Sequence, residues 1–308
     1  MVKKEGNGYV KWFSELSNKD IKIAGGKGAS LAEMYNNKFP IPPGFMITAQ
    51  AYSYFLSSTG TDEKIYDILR VLDVNNTKKL DDASKKIRAL IEETELPEDL
   101  KEGIVEAYQV LDVIKEALSD AHGAALNILR NSYEHPFVAV RSSATAEDLA
   151  DASFAGQHES FLNVKGEKDL LLKIKKCFSS LFMPRAIYYR EKRGFKHEDT
   201  QLAVVVQNMI DSDKSGVIFS RHPVKKDDSI LIEAVFGLGE GIVSGMINPD
   251  QYVVSSDMAD FKILDINLGN KKLAVVRDSS GNNKIIKLNE EKAKQQVLTS
   301  YEIKMLAT

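Results

Sequence analysis

The chain has 308 residues, 43% of them hydrophobic and 28% charged, with a formal net charge of -3. That length is more than one small core needs and predicts two domains or lobes of an ordinary globular protein. The charge balance speaks against a nucleic-acid binder built on phosphate-backbone contacts, and no apolar run is long enough to span a membrane.

The N-terminal Met1 to Gly8 lacks the apolar core of a signal peptide. Cys177 is the only cysteine, so no internal disulfide can form. It sits among apolar residues at helical spacing and reads as a buried structural thiol. A reducing, cytoplasmic setting is the expectation.

In chain order, Tyr9 to Leu16 is short and mixed, and Ala24-Gly25-Gly26-Lys27-Gly28-Ala29 reads as a glycine turn opening a short helix at about Ala29. Free N–H groups and the positive end of a helix dipole favour a phosphate there, and Lys27 adds a mobile charge. A glycine turn with an exposed lysine is an equally simple reading. The Walker spacing of glycines and lysine is absent. Pro40 to Gly44 forms a rigid turn into a strand at Phe45 to Thr48, and Gln50 to Ser57 reads as helix.

From Asp62 to Asn131 the pattern is helical. Pro97 stands at a helix start, and Leu100, Ile104, Tyr108, Leu111, Ile114 and Leu118 recur on one face.

Phe137 to Val140 is an apolar strand that delivers Arg141 at its end. Ser142, Ser143 and Thr145 follow, then a turn at Gly156, then a second strand-like run from His158 to Val164. An arginine fork, neutral hydroxyl donors and glycine backbone suit a polyanion. The competing reading is a polar hairpin with Arg141 paired to Glu147 or Asp148. Glu167 to Arg193 reads as one further helix with a basic, mostly solvated face.

Near residue 200 the pattern turns to strand, which places the boundary between a helix-rich lobe, 1–199, and a strand-rich lobe, 200–308. Strands are expected at Leu202 to Met209, Gly216 to Ser220, Ile230 to Val235 and Tyr252 to Ser255. Weaker ones fall at Phe261 to Ile266, Leu273 to Val276 and Lys284 to Leu288, before a last helix from Asn289 to Ala307. Gln207 closes a buried-type strand whose edge could meet an adenine ring, although a plain core strand also fits. Glu233 and Glu240 flank a glycine-dense stretch, Gly237 to Gly245, that lacks the Rossmann spacing. They read as metal-linked carboxylates or as turn charges. The five histidines show no ligand spacing, and one cysteine makes a zinc site unlikely.

Four segments then point the same way: GGKGASLAEM, VRSSATAEDL with SFAGQ, VVVQNMI with SGVIFS, and EAVFGLGE with VSG and NPDQYVV. In this order and at these distances they resemble the nucleotide-binding domain of the phosphoenolpyruvate synthase family, which also includes pyruvate, phosphate dikinase and rifampin phosphotransferase. The resemblance runs from about Phe13 to the C-terminus.

It implies an α+β, ATP-grasp type fold with two lobes closing on a nucleotide cleft, and ATP and Mg2+ as cofactors. It also implies a reaction in which ATP phosphorylates a histidine on a swivelling domain and thence pyruvate. Carried over, Lys27 and Arg141 hold the phosphates, and Gly156 and Ser160 line their site, Ser160 standing where the family often has threonine. Gln207 frames the adenine, and Glu233 is a further contact.

The family's acidic metal-binding segment, its phosphohistidine domain and its pyruvate barrel have no counterpart in the sequence. No metal ligand is therefore expected within it, and the chain alone is expected to bind nucleotide without turnover. Ser220-Arg221-His222-Pro223 departs from the family's usual loop. The alternatives are the ATP domain of a rifampin-type antibiotic phosphotransferase, or a non-catalytic nucleotide-binding module.

Overall fold

The structure is a computed structural model that describes residues 8–111, 135–145, 159–257, 260–278 and 280–308. It mixes helix and sheet and divides into two compact units, Met1–Met209 and Ile210–Thr308. The division falls after Met209 rather than at residue 199, because the first strand after the composition shift belongs to the first unit's sheet.

The first unit contains β1 (Val10–Trp12), α1 (Ile21–Asn36), β2 (Gly44–Ile47), α2 (Ala49–Ser58), α3 (Thr61–Arg70), α4 (Thr77–Glu93) and α5 (Glu98–Gln109). It continues with β3 (Val138–Ala144), β4 (Ser160–Val164), α6 (Glu167–Ser180), α7 (Pro184–Arg193) and β5 (Leu202–Asn208). The strands form one antiparallel sheet in the order β1-β2-β5-β3-β4.

Alternation along a strand sends successive side chains to opposite faces, and both faces are covered. Phe45, Ile47, Val138, Val140, Val204 and Val206 join the core supplied by α2 to α7. Met46, Ala203 and Val205 pack instead with Ala24 and Ala32 of α1. This two-sided burial explains the unbroken apolar run of β5.

Local chemistry sets the helix limits. Thr48 caps α2 and Asn76 caps α4, each accepting a backbone N–H of the first turn. Leu100, Ile104, Tyr108 and Leu111 are buried as the spacing predicts, and Ile114 and Leu118 lie outside the described residues. The single helix expected from Glu167 to Arg193 is two, because Pro184 has no N–H to continue α6 and instead opens α7.

The basic face read there is dispersed as well. Lys175 donates to the carbonyls of Glu92 and Thr94 at the end of α4. Arg190 is 1% exposed, bonding the Leu181 carbonyl and, at 3.0 Å, Nδ1 of His197.

That last contact makes a pH prediction. Burial, with Arg190 adding to it, holds His197 down at about 4. The unfolded chain takes up a proton near pH 6.5 while the folded chain refuses it until about pH 4, so stability is full above that window and falls as pH drops through it. The expected loss is about 2 kcal/mol, read as a fall in urea midpoint between pH 7 and pH 4 that is absent in His197→Gln.

The second unit holds β6 (Lys214–Phe219), β7 (Ile230–Phe236), α8 (Glu240–Val243), β8 (Asp250–Val254), β9 (Ile263–Asn267), β10 (Leu273–Arg277), β11 (Asn283–Lys287), α9 (Glu290–Lys294) and α10 (Ser300–Ala307). β6 to β9 form an antiparallel sheet in sequence order, and β10 and β11 a separate hairpin. All the expected strands are present. The expected closing helix is interrupted between Gln295 and Thr299, where Thr299 and Glu302 make a capping box that starts α10 afresh. Among the described residues no helix is long and apolar enough to cross a membrane.

Candidate functional site

The polar centre of the first unit is built on the α1 face of its sheet. β3 does not end at Arg141 but continues through Ser142, Ser143 and Ala144. Arg141 therefore sits mid-strand, with Val205 opposite on one side and Ser160 opposite on the other. Directly paired residues of antiparallel strands share a face, so the Ser160 hydroxyl rises beside Arg141 on the exposed β4 position.

Gln207 lies on the same face, two residues along β5 from the position opposite Arg141. Its Oε1 accepts from Arg141 Nη2 at 2.5 Å and its Nε2 donates to the Pro42 carbonyl at 3.1 Å. The side chain is 6% exposed. Burial pulls the Arg141 guanidinium below the usual arginine range, and its Nε is a buried donor with no acceptor among the described residues.

The segment carrying Lys27 is pinned to the same strand. Ser143 Oγ donates to the Ala24 carbonyl at 2.7 Å and accepts from the Gly28 amide at 3.1 Å. The helix starts at Ile21, earlier than the expected Ala29, and is broken at Gly25, whose φ is 67°. A methyl group on Gly25 would collide with the carbonyl and hydroxyl oxygens of Ser143. Glycine is needed there both for the left-handed backbone and for the close approach of α1 to β3.

Lys27 is exposed beside this contact. Its charge is felt at Cys177, where burial pushes the thiol up, Glu159 adds to the rise and Lys27 opposes it. Cys177 in turn lies under the Val140 carbonyl. Ser143 is two residues from Arg141, about 7 Å along a strand. The Lys27 backbone and Arg141 are thus held on one face of one sheet.

Gly25→Ala should destabilise the chain by about 1–3 kcal/mol. Gly60 is the control: its φ is 62° but a methyl there meets nothing within 4 Å. In urea unfolding Gly25→Ala should lose clearly more than Gly60→Ala.

Gly156, and the possible partners Glu147 and Asp148, lie outside the described residues. The edge expected of the Gln207 strand is absent: β5 is the central strand, bonded to β2 and β3 on its two sides, and the amides of Asn208 and Met209 already donate to Pro43 and Phe137. No backbone edge along β5 is open to a ring.

Glu233 belongs to the second unit, half-buried in β7 and bonded through Oε1 to Gln251 Nε2 at 2.7 Å. Glu240 is held by the amide of Asn283. The glycines nearby are packing devices: a methyl on Gly237 would strike the Val275 carbonyl, and one on Gly241 would strike Ile247. Among the described residues no three His, Cys, Asp or Glu side chains converge to hold a metal ion. The described histidines have structural tasks. Nδ1 of His222 accepts from the Val224 and Lys225 amides, and His135 stacks on Tyr108.

Sequence reasoning missed the most buried charge pair. Asp250 and Lys271 are both wholly buried and paired. Asp250 also accepts from the Gly269 amide, the Val297 amide and the Tyr252 hydroxyl at 2.8, 2.8 and 3.0 Å. Asp250 stands in the Asn-Pro-Asp segment, but the sequence around Lys271 reads as an ordinary polar turn.

The profile of the pyruvate phosphate dikinase AMP/ATP-binding domain matches residues 21–308. The chain belongs to that family. Its relatives include the probable phosphoenolpyruvate synthases of Methanocaldococcus jannaschii, 47% identical over 97% of the chain, and Archaeoglobus fulgidus, 48% identical over 97%. The phosphoenolpyruvate synthase of Pyrococcus furiosus is 36% identical over 96% of the chain. The chain spans 24%, 37% and 39% of the length of these three proteins. Within this family the α1–β3 contact and the Arg141–Gln207 pair become candidate parts of a nucleotide site.

Proposed function

We propose that the chain is the ATP-binding part of a phosphoenolpyruvate synthase, an ATP-grasp type domain. In this reading ATP gives a phosphoryl group to a histidine on a separate domain, which passes it to pyruvate, with AMP and phosphate as the other products. The observation that carries the reading is Arg141 itself. A permanently charged fork is partly desolvated on the α1 face of the sheet, with one buried N–H that has no acceptor among the described residues.

A buried unpaired donor is costly, and a phosphate oxygen satisfies it with a charge-assisted bond. Lys27 adds an exposed ammonium from the helix pinned two residues further along the strand. Ser160 offers a neutral donor beside Arg141, and Gly156, which the resemblance adds to the phosphate site, lies outside the described residues. Glu233 is a further candidate contact in the second unit, with one carboxylate oxygen not committed to Gln251.

The described residues offer cations and hydroxyls to the phosphates but no cluster fit for a magnesium ion. What they supply is binding and charge neutralisation, on which phosphoryl transfer depends. The names of the relatives favour pyruvate over an antibiotic as final acceptor. Calorimetric titration with ATP, with and without magnesium, tests the reading. Saturable one-to-one binding is expected, and absence of binding under both conditions would refute it.

A further inference from the structure

We propose that Gln207 is a positioning residue, which aims the Arg141 guanidinium at the phosphates instead of contacting the base. The proposal rests on the phosphate-binding reading of Arg141.

A guanidinium can only donate and a proline carbonyl can only accept. The Gln207 amide therefore has one possible orientation between them, Oε1 toward Arg141 and Nε2 toward Pro42. The Pro42 carbonyl belongs to the turn that leads into β2, and β2 flanks β5 on the side away from β3. The carboxamide thus bridges the two neighbours of its own strand. At 6% exposure it has little surface left for a ligand.

Holding Nη2 fixes the plane of the guanidinium. The buried Nε, which has no acceptor among the described residues, is then directed at a set place. An arginine otherwise free to rotate would turn that donor to water. Gln207 retains it as a pre-aimed site for an oxyanion, which is the usual way that a supporting shell sharpens a binding group.

The test uses this chain, with sodium tripolyphosphate and adenosine as separate probes of the two ends of the nucleotide. In Gln207→Leu the tripolyphosphate affinity should fall about tenfold or more while adenosine binding is unchanged. Nitrogen-15 spectra of the ligand-free guanidinium provide a second readout. The Arg141 Nη protons should be resolved by hindered rotation in the wild type, stay resolved in Gln207→Glu, which keeps the acceptor, and average in Gln207→Leu. Circular dichroism checks that each variant is folded.

If Gln207→Leu loses adenosine but keeps tripolyphosphate, Gln207 is a base contact and the proposal is overturned. Equal tripolyphosphate binding by wild type and variant overturns it while leaving the phosphate reading standing. A wild-type chain that binds no tripolyphosphate removes the phosphate reading itself, and the proposal with it.

Discussion

Asp250→Ala should destabilise the second unit by about 3–5 kcal/mol, the usual result of stranding one member of a buried ion pair. The carboxylate is wholly buried and is the hub of four bonds, from Lys271, the Gly269 amide, the Val297 amide and the Tyr252 hydroxyl. Its loss would leave the Lys271 ammonium with a single acceptor, the Gly269 carbonyl, in a site with no exposure to water. It would also release Val297, and with it the lead into α10, from β8.

The converse change should be milder. In Lys271→Met the carboxylate keeps three donors, so the loss should be clearly less than in Asp250→Ala. Urea unfolding followed by amide exchange at Val297 and Leu298 distinguishes the two. Equal losses would show that the pair, rather than the hub, carries the stability.

Arg141→Ala should weaken ATP binding by about 1.5–3 kcal/mol, roughly ten- to a hundredfold, because a charged donor is removed from a desolvated face. The fold should survive, since Arg141 gives up one side-chain hydrogen bond to protein and one buried orphan donor together. Arg141→Lys should fall between wild type and alanine: it keeps the charge and loses the planar fork. Adenosine should bind all three alike. Calorimetry reads each affinity, and a uniform loss for ATP and adenosine would assign Arg141 a purely structural part.

Much of this architecture was legible in the residues. The alternation of β6 to β11, the helical spacing through Leu100 and Tyr108, and the Pro97 and Pro40–Gly44 punctuation all identified their elements. What failed has a common cause, the influence of distant chain on local pattern. Gly25 and Gly28 read as a turn because glycine suggests local freedom, whereas their task is to let α1 lie against Ser143 and Met46. The boundary at residue 199 followed composition, but β5 is the central strand of the first unit's sheet, and its unbroken apolar run reflects cover on both faces. Pro184 did mark its break, and the pattern of basic residues hid it.

The site was legible in part. Lys27 and Arg141 are residue types that suit a phosphate, Ser160 follows only from the family resemblance, and the structure holds the three segments on one sheet face. Gln207 reads as an adenine contact, and its bond to Arg141 depends on a strand register that no local motif encodes. Asp250 and Lys271 were passed over for the same reason: a buried pair joining β8 to a loop has no periodicity to announce it.

The central claim is that the desolvated arginine of β3, beside the pinned Lys27 helix, is where the polyphosphate of ATP binds. A crystal structure of the chain with bound ATP tests it most directly. The account predicts a phosphate oxygen within about 2.9 Å of Arg141 Nε, with the Lys27 ammonium on the same polyphosphate. A nucleotide bound with its phosphates away from Arg141, leaving that N–H still without an acceptor, would contradict it.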